Sequence, residues 1–546
     1  MTDVLLEVKN LIASVASGDS KVNVVDDISF KIKKGETFVL LGESGSGKSI
    51  SALSIMRLLP PAVKISNGEV FLNGQNLFGL PESKMRDVRG SQIGMIFQEP
   101  QTSLNPVLTA GQQISETLFR HKNLSKEQCI KRSIELLDAV GIPEPNRRIN
   151  EYPHQFSGGM KQRIMIAIAL AGEPDLLIAD EPSTALDVTI QAQVLDLLIQ
   201  LQKETHMAIL FITHDLGVTS QMADHVAVMR QGKIVEAKDK RSLFDYPEHP
   251  YTLQLFDAIP SWEKRQSEKD QSEFKRKDEA CLLKIRDLKV HYPIRKGLFK
   301  KVVGHVRAVD GVTLDVHAGE TVAVVGESGS GKTTMGKGIL RLLQTTDGEV
   351  LYEGKDLSHL DAAALRKKRS EIQIVFQDPY SSMNPRMMIR DIIQEGMLAQ
   401  KIGETQKERD HMSAELLEQV GLLPEHLLRY PHEFSGGQRQ RICIARALAV
   451  KPKLIICDEP TSALDVSVQA QILALLRELQ KEHQLGYLFI THNISVVEYI
   501  AHHVAVMYQG KIVEQGKVEQ VLMHPENKYT RELLSAVPRI KSSRTA

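Results

Sequence analysis

Two octapeptides carry the residue types and spacing of a phosphate cradle: Gly42-Glu43-Ser44-Gly45-Ser46-Gly47-Lys48-Ser49, and Gly326-Glu327-Ser328-Gly329-Ser330-Gly331-Lys332-Thr333. Glycines let backbone N–H groups turn inward toward anionic oxygens, and a helix starting at the end of the loop presents its positive terminus. In such a loop Lys48 and Lys332 reach the β and γ phosphates of a nucleotide, while Ser49 and Thr333 offer a hydroxyl to Mg²⁺. Each loop follows a short apolar run, TFVLL at Thr37–Leu41 or TVAVV at Thr321–Val325.

Two acidic pairs, Asp180–Glu181 and Asp458–Glu459, close later apolar runs. A strand end puts such carboxylates at the carboxyl edge of a parallel sheet, beside the cradle. The expected division of labour gives Asp180 and Asp458 to Mg²⁺, while Glu181 and Glu459 polarise the attacking water. An acidic pair before Pro182 or Pro460 could simply cap a helix; the cradle upstream favours the catalytic reading. His214 and His492 end further apolar runs, where each can hydrogen-bond a γ-phosphate and sense its loss. Gln98 and Gln377 supply amides able to ligate Mg²⁺ or hold water.

Ser157-Gly158-Gly159 and Ser435-Gly436-Gly437 form a second glycine-rich turn before a helix, and so a second anion site. One nucleotide does not need two cradles within one domain. If two domains pack head to tail, each such turn closes over phosphates held by the other, and one chain supplies both halves of a two-site ATP sandwich.

These pieces repeat in order. FQEP at Phe97–Pro100 returns as FQDP at Phe376–Pro379. YPHQFSGGMKQR at Tyr152–Arg163 returns as YPHEFSGGQRQR at Tyr430–Arg441. HVAVMRQGKIVE from His225 returns as HVAVMYQGKIVE from His503. The spacing barely changes, so two homologous domains are expected, over residues 1–262 and 282–546. The stretch between them, 263–281, is dense in charge and poor in large apolar side chains; it reads as a solvated tether.

Around the motifs, each repeat opens with strand-like alternation, then sets short buried strands between helical patterns. That arrangement calls for an α/β fold built on a parallel sheet, twice over. The 546 residues are 25% charged and 42% hydrophobic, an ordinary globular profile. Lys plus Arg equals Asp plus Glu at 68 each, so no global positive field points to nucleic acid. No run approaches ~18 uninterrupted apolar residues, the length that crosses a bilayer. MTDVLLEVKN lacks the basic start and apolar run of a secretory leader. Cys129, Cys281, Cys443 and Cys457 form no C-x-x-C pair, so neither a zinc module nor a disulfide framework is expected.

In this order and in duplicate, the motifs resemble the nucleotide-binding domain of ABC transporters over nearly the whole chain. The resemblance implies tandem P-loop domains, each with a parallel-sheet core, an antiparallel β subdomain and a helical subdomain. It assigns Asp187 and Asp465 of the TALD and SALD turns to the nucleotide site, together with Gln438 of the second signature. FQEPQTSLNP, FQDPYSSMNP, EHPYTLQLFDAIP and HPENKYTRELLSAVP are similar to segments of peptide-importer ATPases. The first half looks like their D-type subunit and the second like their F-type, as in the fused peptide and microcin C importer ATPases.

The family implies ATP and Mg²⁺ as ligands, two membrane-spanning permease subunits and a solute-binding protein outside. It places the chain peripherally on the cytoplasmic side of the inner membrane. Met160 departs from the glutamine found in many signatures and kept at Gln438. A cysteine cluster suited to an iron–sulfur centre, common in D-type extensions, has only Cys281 to correspond to it, so no cluster is expected. Family members stack adenine on an aromatic side chain near Tyr292, where the first half has Val15. A tandem ABC protein acting on ribosomes is the main rival, but it has no use for the SLNP and HPYT segments; a DNA-repair ATPase would need inserted zinc-binding cysteines.

Overall fold

The computed structural model describes residues 3–17, 20–183, 187–261, 264–265, 281–296, 301–462 and 464–538. Apart from Lys264, Arg265 and Cys281, the charged stretch 263–281 lies outside the described residues. The chain forms two compact units, one built mainly from residues up to Asp257 and the other from Ala258 to Val537.

The first unit opens with β1 (Val4–Ser17) and β2 (Ser20–Lys33), an antiparallel pair of alternating apolar and polar residues. With β4 (Val63–Leu72) and β5 (Gln75–Asn76) they make a four-stranded sheet ordered β2-β1-β4-β5. A second, six-stranded sheet is ordered β10-β9-β3-β8-β7-β6. Its strands are β3 (Thr37–Leu41), β6 (Ile93–Ile96), β7 (Leu176–Asp180), β8 (Ala208–Thr213), β9 (His225–Arg230) and β10 (Lys233–Asp239). Five of these run parallel; β10 alone is antiparallel to its neighbour. Every residue of β3, β7 and β8 is buried, which is why these strands read as unbroken apolar runs rather than alternation.

One apolar cluster joins Leu6 and Ile28 of the antiparallel sheet, Ile55 of α1 (Lys48–Ile55), and Leu40, Ile178 and Leu210 of the parallel sheet. Removing each such side chain from water stabilises the fold by roughly 1.5–3 kcal/mol. The helical subdomain lies between β6 and β7 in the chain: α2 (Ala110–Lys122), α3 (Lys126–Ala139) and α4 (Gly158–Leu170), with Ile114, Leu118, Leu137 and Ile166 buried. After β7 come α5 (Val188–Thr205) and, beyond β10, α6 (Pro250–Asp257).

The register of the parallel strands decides what can meet. Leu41 pairs with Thr213, Asp180 with Ile212, and Ile96 with Ala179. The carboxyl ends of β3, β6, β7 and β8 therefore fall in line, and the residues just past them share one edge.

The second unit repeats the plan. β11 (Cys281–Lys296), β12 (Lys301–His317), β14 (Asp347–Tyr352) and β15 (Lys355–Asp356) form the antiparallel sheet. The other sheet is ordered β16-β17-β18-β13-β19-β20. Its strands are β13 (Thr321–Val325), β16 (Ile372–Val375), β17 (Leu454–Asp458), β18 (Gly486–Thr491), β19 (His503–Tyr508) and β20 (Lys511–Lys517). Val325 pairs with Thr491 and Asp458 with Ile490, so the same edge is rebuilt. Helices α7 (Lys332–Ile339), α8 (Ile389–Gln400), α9 (Gln406–Gln419), α10 (Gly436–Leu448), α11 (Val466–His483) and α12 (Lys528–Ser535) correspond to α1 through α6. The expected α/β class, with its parallel core and its antiparallel and helical subdomains, is the architecture found. Among the described residues no helix is long and apolar enough to cross a membrane.

Candidate functional site

The loop between β3 and α1 is shaped by close backbone approaches. Gly47, at the N-cap of α1, has φ 102°, and a Cβ there would also lie 2.6 Å from the Val24 carbonyl oxygen. Gly331 repeats this at the head of α7, with φ 107°. Only glycine takes that conformation without strain. Lys48 is buried, and its Nζ donates to the carbonyls of Gly42 (2.7 Å) and Glu43 (2.8 Å); Lys332 donates to Gly326 and Glu327 at the same distances. Those carbonyl dipoles offset part of the cost of burying an ammonium group. Burial pulls the Lys332 ammonium below its ordinary pKa, against the pull of Glu459.

Ser49 Oγ donates to Asp180 Oδ1 at 2.9 Å, and Thr333 Oγ1 donates to Asp458 Oδ1 at 2.9 Å. Burial pushes the Asp180 carboxyl up to about 6, against the hydrogen bond from Ser49; Asp458 is raised for the same reason. A half-buried hydroxyl and a buried carboxylate, both hard oxygen donors, suit Mg²⁺, whose charge would favour the ionised form of Asp180.

Glu181 is only 7% exposed and sits one residue past β7 at φ 45°; Glu459 has φ 47°. Left-handed backbone at a non-glycine residue stores strain and concentrates at functional sites. Each glutamate is held at both oxygens. Gln98 Nε2 donates to Glu181 Oε2 (3.1 Å), and His214 Nδ1 lies 3.2 Å from Oε1. In the second unit Gln377 Nε2 is 2.8 Å from Glu459 Oε2, and His492 Nδ1 is 3.1 Å from Oε1. Burial opposes ionisation of Glu459, but the hydrogen bond and charge of His492, together with Lys332 and the Ser462 hydroxyl, outweigh it and hold the carboxyl below its usual range. At Glu459 the arrangement yields an ionised carboxylate, oriented from two sides, at the edge that carries the cradle.

In each unit the strand ends thus bring together the cradle, the glutamine, the acidic pair and the histidine. The serine–glycine turns stand elsewhere, at the heads of α4 and α10. Ser157 accepts from the Met160 N–H at 3.4 Å. Ser435 accepts from the Gln438 N–H, and the Gln438 side chain accepts in return from the Ser435 N–H at 3.0 Å. Met160 cannot close that reciprocal capping box. A Cβ on Gly159 would lie 2.6 Å from Ile190, so its bareness serves packing; one on Gly158 would meet nothing within 4 Å.

Asp187 and Asp465 directly precede α5 and α11, Asp465 as its N-cap. Tyr292 is 40% exposed on β11, opposite Val306; Val15 holds the matching place on β1, opposite Val22. Sequence reasoning gave no role to Tyr251 and Tyr529, although both meet the cradles: Tyr251 Oη donates to Glu43 Oε2 (3.1 Å), and the Glu327 N–H donates to Tyr529 Oη (3.2 Å). The repeated Tyr-Thr pair near each unit's end was the available signal.

Comparison with known families agrees with this geometry. A family model described as ABC transporter matches residues 25–184 and again 309–462. The chain belongs to the ABC transporter family. A second model, described as oligopeptide/dipeptide transporter, C-terminal region, matches 235–284 and 513–546 of this ABC ATPase. A protein of Agrobacterium fabrum (strain C58 / ATCC 33970) named "Peptidoglycan transport ATP-binding protein YejF" is 47% identical over 545 residues, covering 100% of this chain and 98% of that one. "Glutathione import ATP-binding protein GsiA" of Escherichia coli (strain K12) is 46% identical over 564 residues, covering 99% and 90%. Both units are ABC ATPase domains, and the ABC ATPase hydrolyses ATP to energise transport.

Proposed function

We propose that this chain powers the import of peptides or peptide-like compounds, binding MgATP at Gly42–Ser49 and at Gly326–Thr333. The observation that carries the reading is the duplicated constellation of Lys48, Ser49, Gln98, Asp180, Glu181 and His214 in a chain whose extensions match the oligopeptide/dipeptide transporter region. The cargoes in the relatives' names, peptidoglycan and glutathione, both contain amide-linked amino acids. A ribosome-acting tandem ABC protein gains no support from these matches.

Mg²⁺ would be held by Ser49, Gln98 and Asp180, and by Thr333, Gln377 and Asp458; when bound it would supply charge neutralisation at the phosphates. Lys48 and Lys332 bind β and γ oxygens. Glu181 and Glu459 orient the attacking water and accept its proton at the carboxylate. His214 and His492 fix Oε1 of those carboxylates, and Gln98 and Gln377 fix Oε2. Ser157–Gly159 and Ser435–Gly437 serve as a second anion-binding turn in each unit, where the N–H groups at a helix start favour phosphate oxygens.

Two permease subunits, an external solute-binding protein and a peripheral position on the cytoplasmic face of the inner membrane complete the reading. Uptake of a labelled tripeptide by a strain lacking this chain tests it. Wild-type restores uptake, and the Glu181→Gln/Glu459→Gln variant does not. Undiminished peptide uptake without the chain would refute the peptide assignment.

A further inference from the structure

Each unit ends in a helix that starts Pro250-Tyr251-Thr252 or Lys528-Tyr529-Thr530. Both helix starts are pinned to the outer strand of the parallel sheet by one buried or half-buried carboxylate. Glu236 of β10 accepts from the N–H groups of Glu248 (2.9 Å) and His249 (3.1 Å). Glu514 of β20 accepts from those of Glu526 (2.8 Å) and Asn527 (3.2 Å). The next residue then fixes the tyrosine backbone: His249 Nδ1 accepts from the Tyr251 N–H at 3.1 Å, and Asn527 Oδ1 from the Tyr529 N–H at 2.8 Å. Histidine and asparagine are different chemistries making the same cap.

The outcome is the same in both units: a tyrosine hydroxyl delivered to the second residue of the cradle. It does so by different bonds, through the Glu43 carboxylate in one unit and the Glu327 backbone N–H in the other. Each ring is backed by one residue at the matching position, the last of β9 or of β19. The Arg230 guanidinium lies 4.6 Å over Tyr251, and the Tyr508 ring is 4.2 Å from Tyr529. Tyr251 is 4% exposed, and burial raises its hydroxyl well above its ordinary pKa; Tyr529 is pushed up to about 12. Both hydroxyls stay protonated at neutral pH.

The tethered residue matters because its carbonyl is one of the two that hold the cradle lysine. In both units this residue is a glutamate in a loop built for phosphate, but only in the first does the tyrosine bond fall on its carboxylate. A hydrogen bond from Tyr251 restrains that carboxylate; in the second unit the bond fixes the peptide plane at Glu327 instead. We propose that Tyr251 and Tyr529 are positioning residues that set nucleotide affinity through Glu43 and Glu327, so that the C-terminal extension is part of each nucleotide site. The inference rests on the reading that the two loops hold ATP.

Steady-state ATPase kinetics of the purified full chain test it. Tyr251→Phe/Tyr529→Phe keeps both rings, so the melting midpoint without nucleotide stays within about 2 °C of wild type. KM for ATP rises about three- to tenfold while kcat changes less than about twofold, the scale of one lost hydrogen bond per site. Adding Glu43→Gln to Tyr251→Phe brings KM back toward wild type, because the restrained charge is gone. Adding Glu327→Gln to Tyr529→Phe does not, because that bond uses the backbone. An unchanged KM in the double phenylalanine variant, with or without a lower melting midpoint, overturns the inference while Lys48→Ala and Lys332→Ala still abolish turnover. If those lysine variants also turn over normally, the cradle assignment itself fails and takes the inference with it.

Discussion

His214 Nδ1 lies 3.2 Å from Glu181 Oε1, and His492 repeats the relationship with Glu459 at 3.1 Å. Each histidine therefore acts on the carboxylate proposed as the general base. His492, with Lys332 and Ser462 adding to it, holds the Glu459 carboxyl below its usual pKa despite burial. A depressed pKa keeps the base ionised to lower pH, so His492→Ala should raise it and move the acidic limb of the kcat profile to higher pH. A profile of ATP turnover from pH 5 to 8 in the His214→Ala/His492→Ala variant checks this; an acidic limb that stays in place would contradict it.

Asp180 gives a second pH signature. Burial lifts its carboxyl to about 6 before any metal is bound. A metal ligand must be deprotonated, so MgATP binding at pH 6 should release about half a proton from this site, and almost none at pH 8. Titration calorimetry in two buffers of different ionisation enthalpy reads the released protons directly. Asp180→Asn should remove that site's share.

Met160 leaves the first signature helix without the reciprocal cap that Gln438 gives the second. Met160→Gln should supply it and stabilise that unit by about 0.5–1 kcal/mol. Differential scanning calorimetry should place its transition about 1–3 °C higher.

The hairpin register puts Val15 where the second unit has Tyr292. Stacking on adenine is worth ~1–3 kcal/mol, which corresponds to roughly 5- to 150-fold in affinity. Nucleotide should therefore bind more weakly to the Lys332→Ala variant, which retains the Val15 site, than to Lys48→Ala. Equal affinities in a nucleotide titration would reject the asymmetry.

Much of this site was legible in the sequence because its parts are short and each ends a buried strand. Thr37–Leu41, Leu176–Asp180 and Ala208–Thr213 announce themselves as apolar runs, and parallel register does the rest. What links the parts was not legible. The Gln98 amide reaches Glu181 across 83 residues, and the Tyr251 hydroxyl reaches Glu43 across 208. No local pattern encodes such a bond; it follows from the strand order and from the clamp that Glu236 places on the final helix. The bonds that Gln98 and His214 make to Glu181 were not legible either, since a short motif does not show which side chain it will meet.

The claim at the centre is that Glu181 and Glu459 activate water for ATP bound in the two cradles. Single-turnover hydrolysis and MgATP binding, measured together on the Glu181→Gln/Glu459→Gln chain, test it most directly. The account predicts hydrolysis slowed by ~10²–10⁴-fold with ATP affinity kept near wild type. Hydrolysis at the wild-type rate would contradict it.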